Sequence, residues 1–418
     1  MRIPFLTYIM ILFAMASPLE AEAKVYIDIN APSTRSYPIA IELSGSSAAL
    51  STLDSALRAD IDFSGLFKVV STKGETGDAA FWLSAGAEAL IKGVLTDEGG
   101  LLTFEAYLYD MARGKTLIAK KYSGGGSSAG SLAHRLANDV IEALTGERGI
   151  FETKIAFVSN AGGNKEVYMM DFDGNNVRKV TANGSINLSP SWSPDGRELM
   201  FTSFKEGSAA LFTKDLASYK EKKLLKTESM NMGGCWSPSG KKVVFTVSSN
   251  GDSDLFLADY GGKSMRRLTS GWGLDVSPSW SPTDDAIAYV SDRSGNPNIY
   301  VVPESGKNPT RLTFEGKYNA SPAWSPGGDY IAYSSLQKDG FRIYIMKPGG
   351  SEPRQISFGP GNDEEPSWSP DGRFLTFSST KERKKSIYIV ALSSGRMIKL
   401  GGTKGQDMSP AWSPFLHN

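Results

Sequence analysis

Three short stretches of this 418-residue chain have residue types and spacings that could do chemistry. Gly126-Ser127-Ser128-Ala129-Gly130 spells the Gly-x-Ser-x-Gly of a nucleophile elbow, in which a strained turn presents a serine to an acyl group. It falls between a predicted strand and a predicted helix, as an elbow does. Its setting argues against that reading, because Ser123 to Ser131 is a loose run of glycine and serine where an elbow is tight. A triad would also need a histidine. His134 is too close in sequence, on the following helix, where it reads as a satisfied side chain, and His417 sits at the last turn.

Asp171-Phe-Asp173-Gly-Asn175-Asn176 opens like a calcium loop but lacks Gly at the sixth place and Glu at the twelfth, so a hairpin turn is expected. The single cysteine, Cys235, allows no intrachain disulfide and reads as strand filler. With two histidines it cannot build a His/Cys zinc site. The Lys381-Glu-Arg-Lys-Lys385 run reads as a solvated loop, with an anionic-lipid or glycan contact as the alternative. No catalytic residue, metal or cofactor is expected.

The third stretch recurs. Five residues before each of six tryptophans stands Asn187, Asn231, Asp275, Asn319, Asp363 or Asp407. An Asn or Asp there can satisfy backbone N–H groups of its own turn. It can also form a polar collar that accepts N–H groups or a cation from a docking partner. The neighbours Met230, Gly233, Leu274, Val276, Tyr318, Glu364 and Met408 differ between copies, as contact residues would. Asn187, Met230, Asn231, Gly233, Asp275, Val276, Asn319, Asp363 and Asp407 are therefore the candidate partner-binding set. The rival is a propeller hydrolase or lactonase whose channel-bound divalent cation is held by the same collar.

The elements that must position this collar follow from the repeat. Trp-Ser-Pro occurs at Trp192, Trp236, Trp280, Trp324, Trp368 and Trp412, each 44 residues after the last. Each unit has four short alternating segments separated by Gly, Asn, Asp and Pro, which specifies a six-bladed β-propeller. Ser-Pro-Asp-Gly at Ser193 and Ser369 is a type I turn sequence. Pro190, Pro278, Pro322, Pro366 and Pro410 suit an innermost strand whose edge lines a channel. The first copy lacks its own Trp-Ser-Pro strand and the last has no strand after it. The segment around Trp412 should therefore complete the blade begun by Lys154 to Ser159, leaving no open edge.

Before the repeat the pattern changes. Met1 to Ala23 has a positive start, an apolar run too short to span a bilayer and an Ala-Glu-Ala cleavage site, so a signal peptide is expected at 1–23. Residues 24–149 read as a small α/β domain. Helices are expected at Ala49 to Ile61, Ala79 to Ala85 and Ser131 to Leu144, and strands at Val25 to Ile29, Phe67 to Ser71, Ala89 to Leu95, Leu101 to Tyr109 and Thr116 to Tyr122. Residues 150–418 are then the propeller. Lysine plus arginine and aspartate plus glutamate both number 45, which disfavours nucleic acid or an anionic surface as a bulk partner.

Together, the leader, the small α/β domain and the Trp-Ser-Pro-Asp-Gly propeller resemble the TolB family of the Tol–Pal system of Gram-negative bacteria. The likeness rests on Lys24-Val-Tyr-Ile-Asp-Ile, Phe63-Ser-Gly-Leu-Phe, and His134 to Gly146 followed by Thr153-Lys-Ile-Ala-Phe-Val. Ala31 to Pro38 departs from the family pattern. The resemblance implies a monomeric, non-enzymatic periplasmic scaffold that neither spans a membrane nor binds nucleic acid. It implies docking of the peptidoglycan-associated lipoprotein Pal at the propeller mouth. It also implies binding of the TolA C-terminal domain by Lys24, Val25, Tyr26, Ile27, Asp28, Ile29 and Asn30. The implied role is maintenance of the outer membrane and its invagination during division.

Overall fold

The computed structural model describes residues 36–71, 77–225, 229–261 and 264–416. The leader, the strand expected at Val25 to Ile29 and the segment Lys24 to Asn30 lie outside the described residues, as does His417.

The first part of the chain forms β1 (Tyr37–Gly45), α1 (Leu50–Phe63), β2 (Phe67–Val70), α2 (Ala79–Ser84), β3 (Ala89–Glu98), β4 (Leu101–Asp110), β5 (Lys115–Gly125) and α3 (Ala129–Thr145). Its sheet runs β2-β1-β3-β4-β5, with β1 parallel to both β2 and β3. β1 is the one element here that sequence reasoning missed. Pro38 reads as a breaker, but it stands at the strand's start, where β3 has not yet begun to pair and no N–H is needed. Leu53, Leu57 and Ile61 of α1 and Leu132, Leu136 and Val140 of α3 pack on one face of the sheet against Ile41, Ile91 and Phe104. Gly146 ends α3 in the left-handed conformation, φ 78°, with its N–H donated to Glu142 O at 2.8 Å.

The rest of the described chain is six four-stranded antiparallel sheets. In five of them the four strands are consecutive in sequence. In the sixth, blade one, Asp407–Trp412 pairs with Lys154–Gly162, matching Asp407 with Ser159 and Trp412 with Ile155. Each Ser-Pro turn is cross-braced by its own serine. Ser193 Oγ donates to Asp195 Oδ1 at 2.7 Å and accepts Glu198 N at 2.9 Å. Five of the six repeat tryptophans are buried between blades, Trp324 being half-buried, and Trp192 Nε1 reaches Ala411 O of the neighbouring inner strand at 2.9 Å. Val180, Leu224, Leu268, Leu312, Ile356 and Leu400 stand just beyond the outer strands, which are two or three residues long, and plug their buried ends.

Every innermost strand carries a register shift. Two residues after the Asn/Asp position, Ser189, Gly233, Ser277, Ser321, Glu365 and Ser409 all have φ between 50° and 60°. In five copies a proline follows at once. The bulge removes the proline nitrogen from the ladder and turns these side chains toward the channel, whose volume is about 700 Å³.

Chain direction assigns the two ends of that channel. Inner strands begin at one mouth, which therefore also holds the hairpins between second and third strands. The other mouth holds the Ser-Pro turns and the turns between third and outer strands. The N-terminal domain sits on this second mouth. Arg373 Nη2 donates to Ser64 O at 2.6 Å, Arg396 pairs with Asp62 at 2.6 Å, and Phe63 stacks on Phe374 at 4.7 Å. Among the described residues no other element covers the first mouth.

Candidate functional site: the open mouth of the propeller

All six Asn/Asp side chains of the expected collar are buried and turned into the blades. Asn187 Nδ2 donates to Glu166 Oε2 at 2.8 Å and to Ser185 O at 3.2 Å, and Asn231 Nδ2 donates to Ser229 O at 3.0 Å. Asp275 accepts Arg293 Nη2 at 2.6 Å. Asn319 Nδ2 donates to Glu315 O at 2.8 Å. Asp407 accepts Thr403 N at 3.0 Å and Thr403 Oγ1 at 2.6 Å. Asp363 is the exception. Among the described residues neither of its oxygens accepts a hydrogen bond, and Lys381 Nζ stands 3.8 Å away. Burial pulls the Lys381 ammonium below its usual range despite the attraction of Asp363. These groups fix the loops that shape the mouth rather than line it.

Among polar and charged loop residues such as Lys205, Arg293, Glu315 and Lys338, seven large apolar side chains face solvent at the mouth. Ile186, Met230, Leu274 and Tyr318, each one residue before the buried Asn/Asp, are exposed. On the loops leading into blades four, five and six stand Trp272, Phe314 and Phe358, 89, 74 and 62% exposed. Isolated exposed apolar residues are ordinary, but seven around one opening make this the candidate interaction surface. Gly233 lies in the bulge with open space where a Cβ would be, and Val276 is half-buried beside Leu274. Sequence reasoning named Leu274 and Tyr318 as variable neighbours and missed Trp272, Phe314 and Phe358. Their only signal was large aromatics within Gly-rich loops.

The other chemical candidates are engaged elsewhere. Ser128 Oγ donates to Gly125 O at 2.5 Å, its own loop, and His134 points into the domain interface. There His134 Nδ1 lies 2.7 Å from Asp60 Oδ2 and Nε2 3.5 Å from Asp173 Oδ2. Burial opposes the charge on His134, but hydrogen bonds to Asp173 and Asp60 outweigh it and raise its pKa to about 10. Burial raises Asp60 to about 6, against the pull of His134. The Asp171 loop is a hairpin turn, with Gly174 N donating to Asp171 O at 2.9 Å. Cys235 donates to Pro278 O, and burial pushes its thiol up to about 12, far from a reactive thiolate. The Lys381 to Lys385 run is not a solvated patch throughout. Lys384 Nζ donates to Thr403 O at 2.6 Å and Lys385 pairs with Glu364 at 3.1 Å, so the run braces blade six. Among the described residues no group of three or more His, Cys, Asp and Glu is placed to hold a metal.

Comparison with known proteins matches this architecture. The model of the TolB β-propeller domain covers residues 141–416, and that of the TolB amino-terminal domain covers residues 25–117. The chain belongs to the TolB family. Relatives named Tol-Pal system protein TolB include one from Geobacter sulfurreducens, 37% identical over 47% of this chain and 49% of its own length. Another, from Geobacter metallireducens, is 45% identical over 29% of this chain and 28% of its own length. The matched region thus spans half or less of these relatives. The crystal structure of TolB from Acinetobacter baumannii superposes with TM-score 0.80 over 91% of this chain and 97% of that one. At 24% identity that likeness establishes the fold alone: a six-bladed propeller preceded by a small α/β domain. Those Geobacter relatives are named as proteins of the Tol-Pal system. Among the described residues no helix is long and apolar enough to cross a membrane.

Proposed function

We propose that this protein is a non-enzymatic, monomeric periplasmic scaffold of the Tol–Pal system. Residues 1–23 are removed on export, 24–149 form the first domain and 150–418 the propeller. The open mouth docks the peptidoglycan-associated lipoprotein Pal, and Lys24 to Asn30 engage the C-terminal domain of TolA. The scaffold so formed helps to hold the outer membrane and to draw it inward at division. The observation that carries the mouth assignment is the set of exposed apolar side chains on blades two to six at the end away from the N-terminal domain, with Met230, Leu274 and Tyr318 exposed beside Gly233 and Val276. The buried Asn187, Asn231, Asp275, Asn319, Asp363 and Asp407 serve the same surface by holding its loops.

Binding of purified Pal to the mature chain tests the reading by calorimetry. Leu274→Glu with Tyr318→Glu places two charges on an apolar contact and should weaken Pal at least tenfold while leaving the melting temperature unchanged. An unaltered affinity would remove the mouth from the proposal. Deleting Lys24 to Asn30 should abolish TolA binding and spare Pal. Loss of both together would contradict two separate sites.

A further inference from the structure

We propose that the N-terminal domain is the clasp that keeps the propeller ring closed, acting on the closing strand Asp407–Trp412 through the connector from Arg148 to Thr153. Among the described sheets, blade one is the only blade assembled from segments distant in sequence, so noncovalent contacts rather than a short chain connection close the ring there. The apolar cores show how that junction differs from the others. Five of the six blade-to-blade junctions have cores of their own, such as Trp280 with Val244 and Leu255 between blades three and four. The sixth junction, between blades six and one, has no separate core among the described residues. Phe374 and Ile389 of blade six, with Trp412 and Phe157 of blade one, belong to the same continuous cluster as α1, α3 and their sheet.

The polar contacts bracket the same seam. On the blade-six side Asp62 holds Arg396 and Ser64 O accepts from Arg373. On the blade-one side His134 faces Asp173. Between them the connector grips the residues just after the closing strand. Arg148 donates to Leu416 O, and its guanidinium lies 5.1 Å from the centre of the Phe415 ring. Trp412 Nε1 donates to Thr153 Oγ1 at 2.9 Å, and Ser413 N to Lys154 O at 2.8 Å. The strand's other end is held inside the channel. Glu365 accepts Ser409 N and Ser409 Oγ, both at 2.8 Å, from a position that is Ser or Gly in the other five copies. Opening the seam would part blade six from blade one, and the domain spans both. Every opening must then break the domain interface as well as the strand pair, which lowers the population of the open ring.

Amide hydrogen exchange of the full chain, read by mass spectrometry, tests this. Arg148→Ala should speed exchange at least tenfold in peptides covering Ile155 to Val158 and Met408 to Trp412. Peptides covering Val243 to Phe245 in blade three should keep the wild-type rate. Arg148→Lys should restore part of the protection. If Arg148→Ala does not fold, Arg396→Ala removes a surface pair and should raise exchange at the same seam peptides by a smaller factor. A rise spread evenly over six blades, one confined to α1 and α3, or no rise in either variant would overturn the clasp. None of these outcomes depends on whether Pal binds the mouth.

Discussion

His134 carries a proton at neutral pH because Asp60 and Asp173 face its two ring nitrogens. Arg135, Glu152, Lys154 and Asp171 line the adjoining cavity, and Lys154 and Asp171 pair with each other at 2.6 Å. Replacing His134 with Ala leaves two carboxylates at least partly buried without their cation, a change that costs about 3–5 kcal/mol. Urea unfolding at pH 7 checks this figure. The pH dependence has a fixed sign. The folded-state pKa of His134 lies above its unfolded value of 6.5, at about 10. Its contribution is therefore complete below pH 6.5 and disappears as pH rises through 10. The stability gap between wild type and His134→Gln should narrow steadily over that range. Asp60, raised from 3.8 to about 6, works in the same direction in acid, because the folded state takes up a proton between those values and gains stability. A gap that widens with rising pH would refute the charged assignment.

At the scale of strands, the left-handed residue in each inner strand decides where the mouth side chains stand. Ser277, at φ 55°, precedes Pro278 and is followed by the return of regular pairing at Ser279. Holding serine in this conformation costs roughly 1 kcal/mol, and a β-branched residue costs more. Ser277→Gly should be neutral or slightly stabilising, and Ser277→Val should lower stability by about 1–3 kcal/mol, measured by thermal melting. Equal melting points for the two would show that the bulge is not strained. Such bulges were not legible from alternation, since a strand with an extra residue breaks the period of two at the Ser-Pro pair. The six-fold Trp-Ser-Pro repeat was legible because turn chemistry and buried tryptophan each need particular residues at fixed spacing. β1 was missed although Ile39, Ile41 and Leu43 alternate with Ala40, Glu42 and Ser44, because Pro38 at its start is a residue that demotes a strand reading. The Asn/Asp collar shows the same limit at the mouth. Its recurrence was plain from spacing, but whether those side chains turn inward or outward depends in part on partners such as Glu166 and Arg293, which lie in other segments.

Across the whole molecule, the fused core makes a claim about cooperativity. Domains joined by a small polar interface melt separately, and multidomain chains commonly depart from two-state behaviour. Here Phe172, on the turn leaving the third strand of blade one, packs against Phe63 and Phe151 with ring centres at 5.7 and 5.3 Å, and edge-on to His134 at 5.3 Å. That ring sits between the two domains, and the apolar cluster around it runs from α1 through Trp412 without a break. Removing it with Phe172→Ala deletes a buried aromatic, which costs about 3–5 kcal/mol. If the two domains share one core, scanning calorimetry should give a single transition for the wild type. The same variant should then move that transition down as one peak, because the lost contacts belong to both domains. Two resolved peaks in the wild type would mean that the N-terminal domain can melt off an intact ring. A single wild-type peak that splits in Phe172→Ala would instead locate the coupling at this one ring.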